Sequence, residues 1–222
     1  TDGSSGQRYI IETIASGLGL IDYNSDGYLD IYFLNGAPLR GTPVPSPPPT
    51  NALYRNNRDG TFTDVTRESG TGDPGYALGC AVADYDNDGD EDIYITNYGP
   101  NVLLRNNGNG TFTDVSAEAG VGDPSFGAGC SFLDYDRDGW VDLYSDNYLI
   151  FNYDEFKPCS RTGVPVYCRP RHYKPVPDLL YHNNRDGTFT DVSLESGIAQ
   201  HCGYGMGMVC SDFDLDGWTD IY

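Results

Sequence analysis

Basic residues are scarce in this 222-residue chain: 13 Lys+Arg stand against 33 Asp+Glu, a formal net charge of −20. A surface so poor in cations has little to offer a phosphate backbone or an anionic bilayer, which excludes nucleic acid and membrane docking as primary tasks. No uninterrupted apolar run approaches the roughly 18 residues of a membrane-spanning helix. Histidine is limited to three residues, methionine and tryptophan to two each. No GxSxG, HExxH, P-loop or dinucleotide-binding glycine motif is present, so no enzyme announces itself. No signal peptide is visible, and a start at Thr1 rather than Met reads as a processed or partial product. What the chain has in quantity is glycine (28), tyrosine (18) and proline (14), the composition of a turn-rich β protein.

The acidic residues are patterned. Residues 22–30 read DYNSDGYLD, 84–92 DYDNDGDED, 134–142 DYDRDGWVD and 212–220 DFDLDGWTD, all D-x-[DN]-x-D-G-x-x-D. These segments hold 17 of the 33 acids, and a merely solvated acidic face would not space its carboxylates alike four times. Calcium takes six to eight oxygen ligands in a flexible shell, which alternate residues of a tight loop can supply. The expected ligands are Asp22, Asn24, Asp26 and Asp30 with the carbonyl of Tyr28, then Asp84, Asp86, Asp88 and Asp92 with that of Asp90. The third set is Asp134, Asp136, Asp138 and Asp142 with Trp140, and the fourth Asp212, Asp214, Asp216 and Asp220 with Trp218. Gly27, Gly89, Gly139 and Gly217 supply the sharp turn. An EF-hand needs Glu at the twelfth loop position, where Phe33, Ile95 and Ser145 stand instead. The flanks read as strands, so the expectation is up to four Ca²⁺ in β-hairpin loops, Asn24 making the first the weakest. Metal-free acidic turns are the alternative.

A second motif recurs at 53–66, 103–116 and 180–193, a strand, an NNxxG turn and an alternating strand. Asn109–Gly110–Thr111 within it forms an N-glycosylation sequon. From each Asn pair to the next acidic loop the separation is 28, 28 and 29 residues, whereas from loop to following Asn pair it is 34, 22 and 49. Every insertion therefore falls in one connection. The unit is strand, acidic loop, strand, variable connection, strand, NNxxG turn, strand, the size of a β-propeller blade. The expected fold is all-β, a partial propeller of about three and a half blades. Residues 1–16 form a lead-in and 17–67 blade 1, with a proline-rich insertion at 36–50. Blade 2 covers 76–117, blade 3 126–194 with a cysteine-containing insertion at 148–177, and 203–222 begin blade 4. Acidic loops and NNxxG turns share one face, and the insertions mark the other, the expected ligand side.

These loops, with Phe126–Gly127 and Gly36–Ala37–Pro38, resemble FG-GAP/VCBS repeats, which form the seven-bladed propeller of integrin α-subunits. The NNxxGTFTDV hairpins, RYIIET at 8–13 and CSRTGVPVYCRPR at 159–171 resemble the cartilage acidic protein/ASPIC–UnbV subgroup. The resemblance implies seven blades, further blades and an ASPIC/UnbV region beyond Tyr222, and a secreted protein.

Of six cysteines, Cys159 and Cys168 share the longest insertion and are expected to form a local disulfide in an oxidising compartment; with His172 they are alternatively part of a zinc site. Cys80 and Cys130 occupy equivalent positions and are expected to be buried on inner strands, while Cys202 and Cys210 stay open. The insertion also carries Lys157, Arg161, Arg169, Arg171 and Lys174 without an acid across 157–174. They are expected to lie against the protein's own acidic surface, or else to receive an anionic group such as a uronic or sulfated glycan. His182, aligned with Arg55 and Arg105, reads as a surface residue. His201 and Tyr204 are the candidates for a catalytic cleft. Asp64, Asp114 and Asp191 read as turn caps, and Tyr32, Tyr94 and Tyr144 as inter-blade packing residues.

Together these readings describe an extracellular, periplasmic or cell-surface calcium-binding module that engages a protein or glycan, not an enzyme. A carbohydrate lyase or dehydratase on the same scaffold, or an accessory protein of natural-product biosynthesis, is the alternative.

Overall fold

A computed structural model describes residues 5–222. The chain is all-β at the level of its sheets: three four-stranded antiparallel meanders follow one another. The first is β1 (Leu18–Ile21), β2 (Asp30–Phe33), β3 (Ala52–Asn56) and β4 (Phe62–Asp64). The second is β5 (Ala77–Ala83), β6 (Asp92–Asn97), β7 (Gly99–Asn106) and β8 (Phe112–Asp114). In the third, β9 (Gly127–Leu133) and β10 (Asp142–Asn147) precede the long insertion, whose own hairpin is β11 (Cys159–Arg161) and β12 (Val164–Val166). The third sheet then closes with β13 (Leu179–Asn183) and β14 (Phe189–Asp191), and β15 (Cys210–Ser211) pairs with β16 (Asp220–Ile221). Each acidic loop joins the first two strands of a sheet, and each NNxxG turn joins the last two.

Successive sheets bury apolar faces against each other. Ile21, Tyr32 and Leu53 of the first pack with Ile93, Ile95 and Phe112 of the second. Tyr94 and Leu103 of the second pack with Leu143, Tyr181 and Phe189 of the third, and Tyr144 and Leu180 with Cys210 and Ile221. The repeated tyrosines therefore lie between sheets; Tyr32 and Tyr94 also donate to the carbonyls of Thr71 and Val121 in the sheet-to-sheet links. Burial on both faces explains why β6 and β10 have no exposed residue, whereas β2, covered on one side, leaves Phe33 exposed. First strands of neighbouring sheets approach so closely that a Cβ on Gly79 would collide with the Ala128 carbonyl oxygen, so only glycine fits there.

The lead-in is more than a leader. Ile10 and Ile11, in a single 3₁₀ turn, are buried beneath Tyr76, Phe126, Leu149 and Phe151. Tyr9 meets Phe151, Tyr153 and Phe156 edge-on, joining the lead-in to the long insertion. Residues 1–4 of the predicted lead-in lie outside the described residues. The 36–50 insertion forms no strand but contributes buried Leu39 to the same cluster. Cys159 and Cys168 are disulfide-bonded, Cα to Cα 5.3 Å, at the base of the β11–β12 hairpin. With both sulfurs joined, no thiolate remains for zinc, although His172 Nδ1 lies 3.8 Å from the Cys159 sulfur. Cys80 and Cys130 are half-buried rather than buried, on first strands whose middle residues stay partly accessible. Burial nevertheless pushes the Cys80 thiol up to about 11 and Cys130 well above its usual value, so both stay protonated at neutral pH. Cys202 is an exposed thiol and Cys210 a half-buried one.

Candidate metal centres

Each acidic loop is organised by its own carboxylates. In the first, Asp22 accepts the N–H groups of Asp26 (2.9 Å) and Gly27 (2.7 Å), and Asp26 caps the N–H of Tyr28 (3.0 Å). The same bonds recur from Asp84 to Asp88 and Gly89, from Asp134 to Asp138 and Gly139, and from Asp212 to Asp216 and Gly217. The turn needs two left-handed residues: the sixth-position glycine, φ 84° to 96°, and the fourth position, Ser25, Asn87, Arg137 or Leu215, φ 54° to 63°. The glycine was legible in the sequence. The fourth position, chemically different in each loop, was not.

The ninth-position aspartates hold the loop to the sheet. Asp30, Asp92 and Asp142 are fully buried and accept the N–H of Asn56, Asn106 and Asn183 at 2.7, 2.7 and 2.9 Å. The second oxygens of Asp92, Asp142 and Asp220 accept the N–H of Tyr85, Tyr135 and Phe213, the second loop residue. Burial raises Asp30, and against the protein's own groups alone pushes Asp92 up to about 8 and Asp142 to about 6. A carboxylate in such a place calls for a counter-charge.

The carboxylates converge unevenly. Oxygens of Asp134, Asp136 and Asp138 lie within 4.8 Å of one another, as do those of Asp212, Asp214 and Asp216, and in the second loop those of Asp84, Asp86 and Asp92. Asp142 groups with Asp136 and His182 rather than with the loop's first residue. In the first loop Asn24 accepts the N–H of Asp26. Asp30 Oδ2 and Asp86 Oδ1 are buried without a hydrogen-bond partner among the described residues. The hard oxygen donors of Asp84 and Asp92 around the buried Asp86 carboxylate fit a calcium ion, whereas the first loop shows no such convergence among the described residues. The seventh-position residues Tyr28, Asp90, Trp140 and Trp218 lie at the loop rims, half-buried or exposed, each with its N–H capped by the fifth-position aspartate.

Cations missed in the sequence reading flank these loops. Arg58 and Arg185, from the NNxxG turns, pair with Asp26 (2.9 Å) and Asp138, holding both carboxyls below their usual range. The second turn has Gly108 in that place, so Asp88 has no such partner among the described residues. His182 is not a plain surface residue: half-buried, its Nδ1 lies 3.3 Å from both Asp136 and Asp142. Its alignment with Arg55 and Arg105 was the available signal, since those side chains also act on loop residues, Tyr23 and Asp86.

The first Asn of the second and third NNxxG turns links neighbouring sheets. Asn106 Nδ2 donates to the Tyr23 carbonyl of the preceding loop (2.9 Å) and the Glu91 carbonyl of its own (3.2 Å); Asn183 does the same to Tyr85 and Val141. Asp64, Asp114 and Asp191 cap the turn after the fourth strand, accepting the N–H of Thr66, Ser116 and Ser193.

His201 is exposed and lines none of the clefts described, while the Tyr204 hydroxyl donates to the Tyr173 carbonyl. None of Lys157, Arg161, Arg169, Arg171 and Lys174 lies within ion-pair distance of a carboxylate among the described residues, contrary to their expected contact with the protein's own acids. No helix among the described residues is long and apolar enough to cross a membrane.

Comparison with known proteins places these loops in context. The chain is 32% identical to human cartilage acidic protein 1 over 62 residues, 28% of this chain and 9% of that protein. A solved structure described as the structural basis of specific recognition of non-reducing terminal N-acetylglucosamine by an Agrocybe aegerita lectin is similar over 91% of this chain and 44% of its own, with 20% identity and a TM-score of 0.44. A profile of the FG-GAP-like repeat matches residues 22–95 and 84–145, each match running from one acidic loop through the strand after the next. These matches span more than half of the sequence, and the chain belongs to the FG-GAP-like repeat family.

Proposed function

We propose that this chain is part of a calcium-loaded β-propeller that works outside the cytosol as a binding module. The supporting observation is the donor set of the loops: carboxylates converge in the second, third and fourth, and in the second they surround a buried Asp86 oxygen that has no hydrogen-bond partner among the described residues. The first-, third-, fifth- and ninth-position side chains would hold the ion, with the seventh-position carbonyl: Asp22, Asn24, Asp26, Asp30 and Tyr28 in the first loop, and the equivalent sets in the others. Bound calcium supplies positive charge that offsets carboxylate repulsion. The first-position aspartate fixes the turn through two backbone N–H groups, and the ninth-position aspartate transmits that order to the third strand. Four ions would take the formal charge from −20 to about −12. Affinities of extracellular calcium modules run at about 10⁻⁴–10⁻³ M, which suits loading outside cells, and the Cys159–Cys168 disulfide supports the same compartment.

The propeller reading draws on the repeated meanders and on one exposed face. Leu18, Leu20, Phe33 and Phe62 of the first sheet are exposed at 53, 52, 41 and 42%. Their register equivalents in the second sheet include Val82, Ile95 and Phe112, which pack on the first sheet. A further sheet of the same kind would cover this face and close the ring. The insertions, on the face opposite the acidic loops, would carry the ligand site.

Thermal unfolding in EDTA, in excess Ca²⁺ and in excess Mg²⁺ tests the reading. A rise of the midpoint with calcium alone, with about four ions bound in equilibrium dialysis, is expected. No bound calcium at millimolar concentration removes it.

A further inference from the structure

The long insertion holds two recesses side by side. The larger, a cleft of about 760 Å³, has Asn152, Phe156, Lys157, His172, Tyr173 and Lys174 in its wall, with Glu155 its one acid. The smaller, about 320 Å³, brings Arg161, Arg169 and Arg171 together with Tyr167. Cys159, Cys168 and His172 belong to both, so the disulfide is the ridge between them. All five insertion cations are exposed, and none is paired with a carboxylate among the described residues. Elsewhere Arg40, Arg58 and Arg185 each hold an aspartate. A chain with an excess of 20 acids thus leaves its largest cluster of cations free.

We infer that the paired recesses form a binding site for an extended anionic glycan, carboxylated or sulfated, laid across the Cys159–Cys168 ridge. The inference rests on the binding-module reading and names the ligand class for its insertion face. Cations on both sides of the ridge suit a chain with repeated negative groups better than one small anion. Phe156 and Tyr173, half-buried in the larger cleft, offer aromatic faces to the C–H faces of sugar rings. Tyr173 also keeps a buried hydroxyl without a hydrogen-bond partner among the described residues. Each carboxylate or sulfate would take charge-assisted hydrogen bonds from lysine or arginine. The floor beneath is held in place: Phe151 packs on Tyr173 and Phe156, and the Cys168 sulfur contacts the Lys157 carbonyl.

The test is titration calorimetry of the calcium-loaded chain with a heparin oligosaccharide, an oligogalacturonate, neutral dextran and poly-L-glutamate. Binding of heparin or oligogalacturonate is expected, and which one binds tells sulfate from carboxylate. Lys157→Ala/Lys174→Ala should weaken it about tenfold or more, and Arg161→Ala/Arg169→Ala likewise. The calcium-dependent rise in melting temperature should persist in both variants, since these residues are exposed and remote from the loops. Absence of binding to both anionic glycans, unchanged affinity in both variants, or equal affinity for poly-L-glutamate overturns the proposal. If glycan binding is lost in the variants while calcium shifts no melting temperature, the glycan site stands and the calcium reading falls.

Discussion

At the residue scale, the loops differ in how much of their charge is already neutralised. Arg58 and Arg185 sit on the fifth-position carboxylates of the first and third loops, and an incoming cation must compete with them. The second loop faces Gly108 instead and carries Asp84, Asp86, Asp88, Asp90, Glu91 and Asp92. It should therefore bind calcium most tightly, and the first loop, with Asn24 as well as Arg58, most weakly. Exposed ion pairs contribute about 0.2–1 kcal/mol, so Arg185→Gly should raise third-site affinity by a few-fold at most, measured by calcium titration. An affinity lowered by that substitution would mean that the arginine helps to shape the site. A second residue, Asp146, lies away from the loops: burial and the nearby Asp178 carboxyl hold it well above the usual carboxylate range. A raised folded-state pKa gives stability that is complete below the unfolded value of about 3.9 and is lost as pH rises through the folded one. In saturating calcium, wild type should lose melting temperature from pH 4 towards pH 8, and Asp146→Asn should lose less. Parallel profiles would show that Asp146 does not govern the decline.

At the element scale, the unit was largely legible because it recurs. Four acidic loops and three NNxxG turns at near-constant separation defined strand order, and 28-residue spacing left room for one link and one strand. Features present once gave no such signal. The Ile10–Thr13 turn reads as a leader, yet Ile10 and Ile11 are buried in the apolar cluster joining the lead-in to both insertions. His182 looked like a surface substitution because its sister residues are arginines, which are usually solvated; only the pairing of β13 with β10 brings it over Asp142. Turn chemistry accounts for the second member of the Asn pair: Asn57, Asn107 and Asn184 bond across their turns to Thr61, Thr111 and Thr188. In the second and third turns the first member does something a local reading cannot reach, since its partner lies in the unit of the previous sheet. Asn106→Ala would leave the carbonyls of Tyr23 and Glu91 without that donor. A loss of about 1–3 kcal/mol is expected, at roughly 2–4 °C per kcal/mol for a chain of this size. Asn56→Ala should cost less, because the Asn56 Nδ2 donates to one carbonyl, that of Leu29, among the described residues and the side chain is half-buried. Equal losses from the two substitutions would remove the inter-sheet role.

At the scale of the whole molecule, charge is divided between two faces. Acidic loops and NNxxG turns occupy one, whereas the insertion cations occupy the other. An anionic glycan approaching the insertion is therefore drawn by nearby lysine and arginine and repelled by a distant field of carboxylates. Calcium would weaken only the second contribution, because it binds at the loops. The Debye length is about 30 Å at 0.01 M salt and about 10 Å at 0.1 M, so the far face is felt at low salt and screened at moderate salt. Calcium should accordingly strengthen heparin binding at about 0.01 M salt and have little effect at about 0.15 M, while Lys157→Ala/Lys174→Ala weakens binding at both. The same titrations in EDTA separate field from folding if far-ultraviolet circular dichroism shows the sheets intact without calcium. A calcium effect of equal size at both salt concentrations would instead mean that ion binding reshapes the insertion itself. The route for that would run through the third sheet, from Asp142 on β10 to Leu149, which bridges Pro175 in the segment that ends the insertion.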